Sequence, residues 1–108
     1  MWSYLKTWLL QRRLSKAQQR LIEVLEQTKL YIAQSEESIY SPFTPTEIAS
    51  DLTKAIESLK GGHSIDTSLL QMHFAPASSI QETALNAGWV DPYLDLSRQF
   101  DELIEAVS

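Results

Sequence analysis

The chain has 108 residues and no cysteine. Disulfides, thiol nucleophiles and thiolate metal sites are therefore excluded, and the fold must be held together by the packing of other side chains. A chain of this length buries one modest hydrophobic core, and two independent domains would not fit. We therefore expect residues 1–108 to form a single domain.

Histidine and glycine are scarce, with two and three copies. His63 and His73 lie ten residues apart, which is not a zinc-binding spacing. The three glycines form no phosphate-binding loop, and no serine stands in a nucleophile elbow. We predict that the protein is not an enzyme and binds no metal or cofactor. His63 is expected in a solvated turn and His73 at the edge of a short helix.

No apolar run approaches the ~20 residues that a membrane-spanning helix needs. The chain begins MWSYLKTWLLQRRL, in which the apolar residues precede the basic pair Arg12 and Arg13. A secretion signal has the reverse order, with its basic residues first. We therefore expect a soluble, cytoplasmic protein without stable membrane insertion.

Basic residues are few beyond the first twenty positions. Residues 1–20 carry five basic side chains and no acidic one, whereas residues 21–108 carry four basic and fourteen acidic ones. An acidic body repels the phosphate backbone, so we expect no nucleic-acid binding. The same charge suits a basic protein partner, because complementary fields speed encounter. Solubility alone would also explain a surplus of carboxylates.

Hydrophobic periodicity predicts an all-α fold. Residues 2–35 contain no proline or glycine, and apolar side chains recur there with the period of a helix. We predict a long N-terminal helix over residues 1–35, a connector over residues 36–44 and a compact helical body over residues 45–108. The long helix would pack against three or four shorter ones in a single-domain bundle. A break near residues 10–14 is the alternative to a continuous helix.

The clearest local signals are helix starts. In FTPTEI, Thr44 is the predicted N-cap, Pro45 the first helical residue and Glu47 the residue that completes a capping box. Asp66 is the predicted cap of a short helix that Pro76 ends.

Two further helices are predicted after Pro76. In SSIQETALNAGW, either Ser78 with Gln81 or Ser79 with Glu82 would form a capping box. Trp89 follows this helix, where it is expected to fill the space between two helix ends. The last helix would start with Asp91 as its cap and Pro92 as its first residue. Its apolar residues are spaced to form a narrow packing seam: Tyr93, Leu96, Phe100, Leu103 and Val107.

Two surfaces are candidates for partner binding. The first comprises the acidic sides of the helix that starts at FTPTEI and of the last helix, with four predicted contact residues on the last helix: Asp91, Asp95, Asp101 and Glu102. The second is the aromatic N-terminal stretch with Trp2 and Trp8, because tryptophan, tyrosine and arginine dominate interface energetics. Core packing of these tryptophans is the alternative, and contact with a membrane surface is a third interpretation.

Small size, a single all-α domain, an acidic body and missing catalytic groups together resemble the immunity proteins of bacterial toxin–immunity pairs. The resemblance extends over the whole chain but includes no motif, so it assigns no role to any residue. It implies a non-catalytic inhibitor that binds and neutralises a partner toxin, often a basic nuclease. The alternative is a helical assembly or adaptor subunit whose N-terminal helix forms a homodimer or touches a membrane surface.

Overall fold

The structure, a computed structural model, describes residues 14–39 and 41–107. Within these ranges it contains five helices and no strand. The helices are α1 (Lys16–Ala33), α2 (Pro45–Lys60), α3 (Thr67–Phe74), α4 (Ser79–Ala87) and α5 (Val90–Val107). The all-α prediction is confirmed for this part of the chain.

The helix α1 begins later than hydrophobic periodicity predicts. Ser15 has an extended backbone (φ −67°, ψ 163°), and its hydroxyl accepts a hydrogen bond from the backbone N–H of Gln18. The Gln18 side chain accepts in return from the Ser15 N–H at 2.9 Å, so the pair forms a capping box. The prediction of one continuous helix over residues 1–35 is therefore wrong, because a helix cannot pass through an extended residue. The first part of that prediction, residues 1–13, lies outside the described residues.

The start of α2 confirms the interpretation of FTPTEI. Thr44 Oγ1 accepts a hydrogen bond from the Glu47 N–H at 3.2 Å, and Glu47 Oε1 accepts from the Thr44 N–H at 3.0 Å. The second of these bonds, from the Thr44 backbone, contributes most to holding the pKa of the Glu47 carboxyl below its usual value. Pro45 lies in the first turn, where backbone N–H groups have no partner within the helix. Proline lacks an N–H, so no hydrogen bond is lost at this position.

The helices α3 and α4 begin in different ways. Asp66 caps α3 as predicted, since its carboxylate accepts from the Leu69 N–H at 3.0 Å. Ser78 precedes α4 but makes no side-chain cap bond. Its hydroxyl bonds instead to the carbonyls of His73 and Ala75, both at 2.8 Å. Both predicted capping boxes are therefore wrong: the Ser78 hydroxyl bonds to the end of α3, and Ser79 is the first helical residue and not the cap.

The helix α5 begins at Val90, two residues earlier than predicted. The Tyr93 N–H donates to the Trp89 carbonyl at 3.1 Å, so Trp89 directly precedes the helix. Asp91 lies within the first turn and is not the cap. The left-handed Gly88 (φ 84°) ends α4, and the chain enters α5 immediately after Trp89.

The buried row of α5 is close to the predicted seam. Its fully buried members are Tyr93, Leu96, Phe100 and Ile104. Leu103 and Val107, which were predicted to complete the seam, are only partly buried against the core. Near the end of the helix, Ile104 is therefore buried in place of the predicted Leu103.

A single hydrophobic core lies around α1, which packs against both α2 and α5. Trp89 fills the gap between the end of α1 and the start of α5, as predicted. Its ring stacks on Tyr31 at a centroid distance of 5.0 Å and meets Tyr93 edge-on at 6.2 Å. Its Nε1–H donates to Ser35 Oγ at 2.8 Å. These contacts join the first and last described helices at one point.

Replacing Thr44 and Glu47 together by alanine should lower the free energy of unfolding by roughly 1–2 kcal/mol, because the orphan N–H groups of the first turn lose their acceptor. Urea denaturation followed by circular dichroism measures the change. Thr46→Ala is the matched control, since Thr46 is exposed in the same turn, and should cause no comparable loss. An unchanged midpoint in the double variant would show that the box does not stabilise α2.

Candidate functional site

The exposed side of α5 carries all four acidic residues predicted to bind a partner: Asp91, Asp95, Asp101 and Glu102. The buried row from Tyr93 to Ile104 holds the opposite side of the helix against the core. The structure thus brings the four carboxylates together on one helix. Trp2 and Trp8, the other predicted contact residues, lie outside the described residues.

Arg98 lies among these carboxylates and forms ion pairs with two of them, Asp95 and Glu102. Its Nη2 is 2.7 Å from Asp95 Oδ1, and its Nη1 is 3.5 Å from Glu102 Oε1. The bond from Arg98 is the main cause that lowers the pKa of the Asp95 carboxyl. These groups are exposed, so the pairs contribute little to stability. They do neutralise part of the charge of Asp95 and Glu102.

Asp91 and Asp101 are different, because no cation of the described residues pairs with either carboxylate. Sequence reasoning did not consider Arg98. The sequence does indicate these ion pairs, because Arg98 lies three residues after Asp95 and four before Glu102, and residues so spaced are neighbours on a helix surface. Of the four predicted residues, only Asp91 and Asp101 therefore lack a cationic partner among the described residues.

The acidic charge is unevenly distributed over the described chain. Residues 61–107 contain seven acidic side chains and a single basic one, Arg98. The other five basic side chains of the described ranges all lie in α1 and α2. One of them, Lys60, forms an ion pair with Glu26 at 3.2 Å across these two helices. Among the described helices, α5 has the largest excess of acidic over basic side chains, five against one.

A groove lies beside the acidic side of α5, between this helix, the end of α3 and α4. Its volume is about 300 Å³, and its lining includes Gln71, Phe74, Pro76, Gln81, Leu94 and Asp101. Leu94 is 54% exposed and forms part of the groove wall. Asp101 is the one charged side chain among the described residues that line it. Sequence reasoning missed this groove, because its walls come from three helices.

The walls of the groove are held by buried polar contacts. The Tyr93 hydroxyl donates to the Phe74 carbonyl at 3.1 Å, and the Ser97 hydroxyl reaches the same oxygen at 3.5 Å. Burial raises the pKa of the Tyr93 phenol above its usual value. The Phe74 ring also stacks against Phe100 with a centroid distance of 4.1 Å. The end of α3 is thus fixed against α5.

His73 is fully buried, contrary to the expectation of a histidine at a helix edge. Its Nε2 is 2.9 Å from Asp51 Oδ2, and its ring meets the Phe43 ring edge-on at 5.0 Å. Its Nδ1 has no hydrogen-bond partner among the described residues. A carboxylate accepts hydrogen bonds, so Nε2–H is the donor in the bond to Asp51. The pair links α3 to α2.

The surroundings of His73 do not form a recognisable reaction centre. No serine hydroxyl of the described residues bonds to the imidazole, and these residues contain no group of three metal-ligating side chains. The cavity that Asp51 lines has a volume of about 190 Å³, below the usual size of small-molecule sites. His63 lies exposed in the turn after α2, as predicted. We assign His73 a structural role.

No known family model matches the chain, and neither a curated protein nor a solved structure does so. Among the helices of residues 14–39 and 41–107, none has both the length and the apolar character to cross a membrane. The proposals for function therefore depend on the surface of the protein itself.

His73→Ala should lower the free energy of unfolding by roughly 2–4 kcal/mol, since it leaves a cavity and removes the partner of Asp51. His63→Ala is the control, because His63 is exposed, and should stay within about 0.5 kcal/mol of the wild type. Chemical denaturation of both variants measures the difference. Equal stabilities would contradict the structural role of His73.

Proposed function

We propose that the protein is a non-catalytic binding protein whose acidic α5 surface binds a basic partner protein. The observation that carries this proposal is the concentration of carboxylates in one helix: α5 contains five acidic side chains and one basic side chain. Such a surface attracts a partner of opposite charge and rejects partners of the same charge.

The uncompensated carboxylates support an electrostatic role more strongly than the total charge does. Asp91 and Asp101 are exposed, and neither forms an ion pair with a cation of the described residues. A carboxylate of this kind is free to pair with an arginine or a lysine of another protein. Arg98 is hydrogen-bonded to Asp95 and Glu102, so the surface contains both paired and unpaired carboxylates.

The scaffold under this surface is rigid enough for direct binding. Trp89 fixes the start of α5, and the row from Tyr93 to Ile104 anchors its length in the core. A surface that is already ordered does not lose much conformational entropy when it binds. This favours a stoichiometric binding protein that presents a preformed face.

The function we propose within this class is neutralisation of a toxin, as in the immunity proteins of bacterial toxin–immunity pairs. The support is the combination of small size, acidic charge and an all-α fold. A basic nuclease is the partner class that such a surface suits, because carboxylates can cover the cationic site that binds nucleic acid. Nucleic acid itself would be repelled by the same surface.

The first experiment is capture of the partner. The tagged full-length protein is used to isolate bound proteins from its native host, and the captured protein is then purified and assayed. A basic protein whose toxic activity is lost on stoichiometric addition of this chain would support the proposal. Capture of a second copy of this chain alone would favour the assembly role of the Trp2 and Trp8 segment.

Reversal of charge at Asp95, Asp101 and Glu102 to lysine should slow association with the purified partner by about tenfold at low salt and weaken its dependence on ionic strength. Stopped-flow fluorescence measures the association rate over a series of salt concentrations. The fold of the variant is checked by circular dichroism.

The matched control reverses three exposed carboxylates on other elements: Glu36, Glu37 and Glu57. It changes the net charge by the same amount, so it should slow association much less if α5 is the contact surface. An equal loss in both variants would show that total charge, and not the α5 surface, governs the encounter.

A further inference from the structure

We propose that the groove between α3, α4 and α5 is a recognition site for a protein segment in which an apolar side chain lies near a lysine or arginine. This inference rests on the proposed function, since it names the chemistry by which the same face recognises its partner. The groove combines an apolar surface and one unpaired carboxylate, and a ligand must match both.

The apolar half of the site is formed by Phe74, Pro76 and Leu94. The rings of Phe74 and Tyr93 are almost fully buried and lie below the surface, whereas Leu94 is 54% exposed and forms part of a wall. An apolar side chain placed in the groove would cover Leu94 and remove apolar area of both proteins from water. The concave shape provides more contact than a flat surface would.

The charged half of the site is Asp101. It lies seven residues after Leu94, hence on the same side of α5 and about 10 Å further along the helix. The other polar groups of the lining, among them Gln71 and Gln81, are uncharged. Arg98 does not line the groove and is held by Asp95 and Glu102. An acidic ligand would therefore meet repulsion, whereas a cationic one would meet an available carboxylate.

The spacing between the two halves defines the ligand further. A helical segment with an apolar residue one or two turns from a lysine or arginine would place both groups at once, because such residues share one helix face. The hydrogen bonds from Tyr93 and Ser97 to the Phe74 carbonyl fix two walls of the groove, α5 and the end of α3, against each other. The site is therefore preformed.

The test uses two short synthetic helical peptides as probes. The first has leucines and lysines spaced one turn apart, and the second has glutamate in place of every lysine. Each peptide is titrated into the ¹⁵N-labelled full-length protein, and amide chemical shifts are followed by NMR. We expect the lysine peptide to shift the amides around Leu94, Asp101 and the end of α3, and the glutamate peptide to shift none of them.

Two single variants separate the halves of the site. Leu94→Ala and Asp101→Asn should each weaken binding of the lysine peptide by about tenfold. Leu30→Ala and Glu57→Gln are matched controls, since Leu30 is an exposed leucine of α1 and Glu57 an exposed carboxylate of α2. They should leave the affinity unchanged. Shifts elsewhere on the molecule, or equal losses in variants and controls, would overturn the inference.

The same variants distinguish this inference from the proposed function. If the purified partner binds both Leu94→Ala and Asp101→Asn as tightly as the wild type, the groove assignment is wrong and the proposed function stands. If the lysine peptide binds in the groove but no toxin is neutralised, the proposed function is wrong and the groove assignment stands.

Discussion

The burial of Trp89 between the end of α1 and the start of α5 is the contact on which the display of the acidic surface depends. Its stacking on Tyr31 and its hydrogen bond to Ser35 fix the point where α5 begins. From that point the buried row at Tyr93 and Phe100 fixes the rotation of the helix about its axis. The acidic residues face solvent because the apolar ones are held inward.

This arrangement separates charge within a small protein. Basic side chains lie on α1 and α2, and the α5 side has Arg98 as its one cation in the described ranges. Arg98 orders Asp95 and Glu102 and leaves Asp91 and Asp101 unpaired. The acidic surface is therefore a pattern of paired and unpaired carboxylates beside an apolar groove. Such a pattern gives a partner both an electrostatic signal and a place for an apolar anchor.

Sequence reasoning succeeded where the interaction is local. The Thr44 box and the Asp66 cap join residues three apart, so the sequence contains all their parts. It failed where a side chain takes a different partner from the predicted one, or where the partner lies far away in the sequence. The Ser78 hydroxyl is taken by carbonyls at the end of α3. The buried His73 is hydrogen-bonded to Asp51, twenty-two residues away. The sequence contains the pattern of the Ser15 capping box, a serine followed three residues later by glutamine. The helical period of apolar residues continues on both sides of Ser15, however, and predicted one longer helix.

The contact surface can be tested most directly by NMR cross-saturation from the protonated, purified partner to the deuterated, ¹⁵N-labelled chain. This measurement reports which amides lie next to the partner, whatever drives the association. We expect the largest loss of signal in residues 91–102 and around the α3–α4 junction, with α2 unaffected. Signal loss confined to α2, with α5 unchanged, would contradict the assignment of α5 as the binding surface.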